Sequence, residues 1–141
     1  MSKLDSLIRL HERTLDEARR KLGRAEAAVA SAAAAIDALE AEIKTEQAAA
    51  GADLTGQFGY ANYARQAIAR RAELHTAHQQ AEVAREQVRE KVAVAFAELK
   101  KFEITAERRA ALAQQEENRR LQGELDEIAQ QQVRQKQARS A

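Results

Sequence analysis

His75, His78 and Glu82 are the residues of this chain whose types and spacing come closest to a chemical site. On a helix their i, i+3, i+7 spacing puts them on one face, where three nitrogen or oxygen donors could hold zinc. A fourth ligand and supporting hydrogen-bond partners are missing, and the other histidine, His11, lies far along the chain. No metal is expected. Gly51 and Gly56 have the GxxxxG spacing of a phosphate-binding loop, but Gln57 and Phe58 stand where that loop needs Lys and Ser or Thr. The pair reads as an interhelical turn. Arg19-Arg20-Lys21, Arg70-Arg71, Arg108-Arg109 and Arg119-Arg120 are answered by nearby Glu or Asp at helical spacing. No aromatics interleave with them as stacking platforms, so they read as an ion-paired surface and not as a nucleic-acid interface. There is no nucleophile–base arrangement, and neither an enzyme nor a cofactor is expected.

The elements that carry these residues are helices. Of 141 residues 33 are Ala, whereas Leu, Ile, Val and Phe together number 27; Trp, Pro and Cys are absent. So few bulky side chains cannot enclose a globular core, and the Ala, Glu, Lys, Leu and Arg content is that of long helices. Positions 4, 8, 11, 15, 18, 22, 25, 29, 32, 36, 39, 43, 46 and 50 alternate steps of four and three, and all but His11 and Glu46 are apolar. That is a heptad seam. Ser2 with Asp5 offers an N-terminal cap. A second seam is read at Tyr60, Tyr63, Ala67, Leu74, Ala77, Ala81, Ala84, Val88, Val92, Ala95, Leu99, Phe102, Ala106, Ala110 and Ala113. Its four-four-three steps at 84-88-92-95 and 102-106-110-113 predict stutters that relax supercoiling.

The expected fold is all-α: an antiparallel coiled-coil hairpin in one domain over 1–141. Its parts are a helix over 3–50, a loop over 51–59, a longer helix over 60–132 and a basic tail over 133–141. Ala50 is placed beside Tyr60, with Ala25, Ala28 and Ala32 facing Ala77, Ala81 and Ala84. Residues beyond about 106 then have no partner within the chain. Leu112, Leu121, Leu125 and Ile128 lie on this overhang, which reads either as a partner-binding helix or as a fraying tail. Phe58, Tyr60, Tyr63 and Ile68 cluster at the loop, either stapling the turn or forming a second binding surface.

Lys plus Arg total 23 against 22 Asp plus Glu, so no net field attracts nucleic acid. No apolar run approaches a membrane span, and Met1-Ser2-Lys3-Leu4-Asp5 lacks the pattern of a signal peptide. The absence of cysteine fits a reducing cytoplasm, where the chain is expected to be soluble.

Glu117-Asn118-Arg119 followed by Leu125-Asp126-Glu127-Ile128-Ala129-Gln130 resembles the C-terminal signature of the FliJ family, the coiled-coil component of the bacterial flagellar type III export apparatus. Ala95-Phe96-Ala97-Glu98-Leu99-Lys100-Lys101-Phe102-Glu103, Glu107-Arg108-Arg109 and the Asn62-Tyr63 pair are similar to further segments of that family. The resemblance implies a stalk in the pore of the hexameric export ATPase, with both chain ends inserted. Leu4, Ile8, Asn118, Leu121, Leu125, Asp126, Glu127 and Ile128 would then touch the ATPase. It also implies contact with the cytoplasmic domain of the membrane export-gate protein, here through Tyr60, Tyr63, Ile68 and Leu74, and escort of export chaperones. Arg65, Gln66 and Ala67 depart from the family, which often has Phe just after its Asn-Tyr pair. The implied location is the inner-membrane face at the flagellar base, without membrane insertion. The alternatives are a general coiled-coil chaperone or scaffold, and the homologous stalk of a virulence-type secretion system.

Overall fold

The computed structural model describes residues 2–140; Met1 and Ala141, the outermost residues of the expected domain and tail, lie outside them. Two helices, α1 (Lys3–Ala50, 48 residues) and α2 (Leu54–Ser140, 87 residues), account for nearly all of the described chain, which contains no strand. They form a long antiparallel hairpin with the second helix the longer.

Ser2 and Asp5 close the start of α1 reciprocally. The Ser2 backbone N–H donates to Asp5 Oδ2 at 3.3 Å, and the Asp5 N–H donates to Ser2 Oγ at 3.1 Å. Hydrogen bonding to the carboxylate, from the Ser2 side chain first and then from its backbone N–H, holds Asp5 below its usual pKa.

The connection corrects the sequence reading. It covers only residues 51–53 and not 51–59; α2 begins at Leu54 and not Tyr60. Gly51 ends α1 with φ 59°, the left-handed conformation in which glycine carries no Cβ penalty. Asp53 precedes α2 in the N-cap position that its residue type favours. Gly56, expected in the loop, lies in the first turn of α2 against the Ala50 carbonyl, where a Cβ would collide with the oxygen. Ala50 thus lies beside Gly56 at the turn, and farther along the hairpin Glu40 of α1 meets Arg71 of α2. At the far end helix continues to Ser140, through the stretch expected as a basic tail.

The hairpin comprises two compact units, Met1–Leu10 with Glu98–Ala141, and His11–Ala97. In the second unit Leu15, Leu39, Ala67 and Ala95 are buried; in the first, Leu99 is buried, with Leu4, Ile8, Phe102 and Ala106 half-buried. Every expected seam position of α1 is buried or half-buried except Glu46.

The seam of α2 differs from expectation. Ala77 and Ala84 are exposed, as is Ala28 on α1, while His78 and Arg85 are half-buried in their place. The inward positions become 74, 78, 81, 85, 88, 92, 95, 99, 102 and 106, an unbroken heptad series. The stutter at 84-88-92-95 is absent, and Ala110 and Ala113 of the other are exposed. The phase follows Leu74, Val88, Val92 and Leu99, because burying a leucine or valine removes far more apolar area from water than burying alanine. Arginine tolerates a seam position by laying its aliphatic stem along apolar surface.

Candidate functional site

The four residues expected to face the export gate all lie in the unit His11–Ala97, but they do not share a surface. Tyr60, Tyr63 and Leu74 are half-buried seam positions, whereas Ile68 is 69 % exposed. The Tyr60 and Tyr63 rings sit 6.3 Å apart at 38°, packed within the hairpin. Tyr63 Oη is sealed from solvent, with the Glu42 carboxylate of α1 beside it. Its desolvation, followed by repulsion from the Glu42 and Glu46 carboxylates of α1, raises the phenol above its ordinary pKa. Arg71 Nε reaches across to Glu40 Oε1 at 2.8 Å and ties the two helices together. The aromatic group is thus divided: the tyrosines staple the hairpin, and Phe58, 72 % exposed, points away from it.

The residues expected to touch the ATPase all lie in the other unit and fall into two environments. Leu4 and Ile8 are half-buried in the hairpin seam, which occupies much of their apolar surface. From Glu107 to Ser140 every residue is exposed. Leu121, Leu125 and Ile128 form one stripe there, 45–60 % exposed, and Asn118 precedes them in the same three-four-three series. Asp126 and Glu127 lie beside the stripe. The hairpin seam itself does not continue into this segment: heptads counted on from Ala106 fall on Ala113, Arg120 and Glu127. Local pairs support the helix instead. Arg120 reaches Glu117 and Glu124, each at 2.6 Å, and the Glu117 bond chiefly raises its pKa. Gln114 Nε2 donates to Asn118 Oδ1 and Gln122 Nε2 to Asp126 Oδ1, both at 3.1 Å.

A helix that leaves its hairpin bearing an unmatched apolar stripe, after the signature residues 117–119, is the arrangement that the family resemblance implies. The family model described as flagellar FliJ protein matches residues 1–138. The chain belongs to the FliJ family. It is therefore a component of the flagellar type III protein export apparatus. No curated protein and no solved structure matches it.

Several of the remaining sequence candidates make local structural contacts in this FliJ-family chain. His78 Nε2 lies 3.2 Å from Glu82 Oε1, and no group of three potential metal ligands occurs among the described residues. Gly51 and Gly56 serve the turn, the first by its φ and the second by close approach. Arg71 and Arg120 are ion-paired. Sequence reasoning missed one exposed position at the turn, Leu54, because it fell inside the presumed loop. Its spacing of four from Phe58 would have signalled a helical face had the helix been started earlier.

Proposed function

We propose that the chain is the stalk of the flagellar export ATPase complex, its α2 overhang entering the pore of the ATPase hexamer. The observation that carries this reading is the uninterrupted exposure of Glu107–Ser140 together with the Leu121–Leu125–Ile128 stripe. Isolated helices are marginal in water, so an apolar stripe on one is suited to burial against another protein. A helix seated in a ring biases subunit conformations by binding some states better than others. Leu4 and Ile8 add to this contact at most by their outer edges, and Asn118, Asp126 and Glu127 flank it with polar groups.

The same reading gives the unit His11–Ala97 a contact with the cytoplasmic domain of the export gate. Ile68 is the exposed member of that group, while Tyr60, Tyr63 and Leu74 hold the helix that presents it. Export chaperones are further partners, and the site of action is the cytoplasmic side of the flagellar base. No described helix is long and apolar enough to cross a membrane.

The deciding experiment pairs Leu121→Asp with Leu125→Asp in one full-length chain. Charges placed in a buried contact without partners are costly, so ATPase binding and activation should be lost, as should swimming on complementation of a deletion strain. Helix content and melting should stay unchanged. Retained activation and swimming would refute the pore-binding role.

A further inference from the structure

The seam of the unit His11–Ala97 is packed unevenly along its length. Its buried residues are Leu15 and Ala95 toward the open end and Leu39 and Ala67 toward the turn. Between them, over about 36 Å of helix from Leu15 to Leu39, every inward residue of either helix is only half-buried. Two inward positions of α2 in this stretch are polar. His78 is engaged by Glu82 of its own helix, and Arg85 has its Nε sealed from solvent with no hydrogen-bond partner. On α1 the half-buried residues from 25 to 36 are Ala25, Val29, Ala32, Ala33, Ala35 and Ile36. Among the described residues no ion pair or side-chain hydrogen bond joins 25–36 to 74–88, whereas Arg71–Glu40 spans the helices on the turn side.

Each helix satisfies its own backbone hydrogen bonds, so apolar burial is what holds the pair together. An alanine methyl removes far less area from water than a leucine side chain, and a seam histidine adds polar surface that must be desolvated. The unpartnered Arg85 Nε loses its hydration in the closed pair, and separation returns it. Alanine has the highest helix propensity, and eight of the twelve residues 25–36 are alanine, so α1 stays helical there when uncovered. Weak pairing thus coincides with a strong helix.

We propose that the hairpin carries a built-in compliant joint at its middle, residues 25–36 of α1 against 74–88 of α2. There the two helices part transiently without unwinding, while the packed residues on either side stay closed. Segments with few buried apolar contacts are those that open at low free energy. The joint lets the turn-side and open-end parts of this unit bend about a point near His78 and Arg85. It requires no bound partner and is independent of the stalk reading.

The protein has no cysteine, so pairs of nitroxide labels can be placed on cysteines introduced into the full-length chain. Three pairs at exposed positions sample the unit: Ala41 with Ala69 on the turn side, Ala28 with Ala84 in the middle, and Glu12 with Ala97 at the open end. Double electron–electron resonance should give the middle pair a distance distribution at least about twice as wide as either flanking pair. His78→Leu combined with Arg85→Leu should narrow it to the width of its neighbours, because both changes put apolar seam in place of polar groups. Leu39→Ala acts in the opposite sense and should broaden the Ala41–Ala69 distribution, leaving Glu12–Ala97 unchanged. Equal widths at all three pairs, a middle width unmoved by the double leucine variant, or a Leu39→Ala that broadens nothing would overturn the proposal. So would fast amide exchange confined to residues 25–36 and 74–88, since that marks unwinding and not the separation of intact helices.

Discussion

Leu15→Ala isolates the packing that holds the hairpin together. Leu15 is the most buried large residue of the protein, at 4 % exposure, in the unit His11–Ala97. Truncation removes an isopropyl group from the seam, and at about 0.8 kcal/mol per buried CH2 the transfer loss is about 2.4 kcal/mol. A cavity term adds to this in closed cores, where Leu→Ala costs range over about 2–5 kcal/mol. Between two helices the vacated space opens to water, so the loss should lie at the low end, about 2–3 kcal/mol. For a chain of this length that lowers Tm by roughly 5–10 °C. Urea and thermal unfolding followed by circular dichroism at 222 nm measure it. Leu125→Ala, at a residue 60 % exposed, is the internal control and should cost less than about 0.5 kcal/mol. Equal losses at the two positions would show that the seam does not stabilise the hairpin and would undo the burial argument for the overhang.

Three further outcomes follow from turn, register and titration. Gly56→Ala should destabilise the hairpin, because its Cβ would collide with the Ala50 carbonyl; Gly23→Ala, which meets open space, should stabilise by about 0.5–1 kcal/mol, read by the same melts. Because Ala25 and Ala81 are half-buried and Ala84 faces solvent, cysteines replacing Ala25 and Ala81 should oxidise within one chain faster than cysteines replacing Ala25 and Ala84. Faster reaction of the 25–84 pair on non-reducing gels would show that Ala84, and not Ala81, faces α1. Because folding raises the pKa of Tyr63, its proton contributes stability that is complete below the ordinary phenol value, about 10, and is lost as pH rises through the higher folded value. Melting should therefore fall with alkaline pH, and less steeply in Tyr63→Phe; identical slopes would remove Tyr63 as the cause.

The sequence by itself determined the fold class, the course of α1 and the place where the overhang begins. The first two rest on strong local signals, helix-forming composition and a Leu and Ile heptad from Leu4 to Ile43; the third followed from folding the longer helix back on the shorter one. The signature around Glu117–Arg119 and Asp126–Glu127 likewise pointed to the FliJ family before any geometry was known. Tertiary structure decided the rest. Glycines at 51, 56 and 59 resemble a loop to a local reading, but the close approach of Gly56 to Ala50 is a contact between two helices, seen only once the chain turns within three residues. His78 and Arg85 displaced Ala77 and Ala84 from the seam because the phase of an alanine-rich helix is set by its few bulky residues against the partner helix. A polar–apolar pattern records no such competition. That turn and phase also separated Tyr60, Tyr63 and Leu74, which face inward, from Leu54, Phe58 and Ile68, which face out. The direction of a side chain on a helix with two apolar faces depends on which face the other helix occupies, and only the folded chain specifies that.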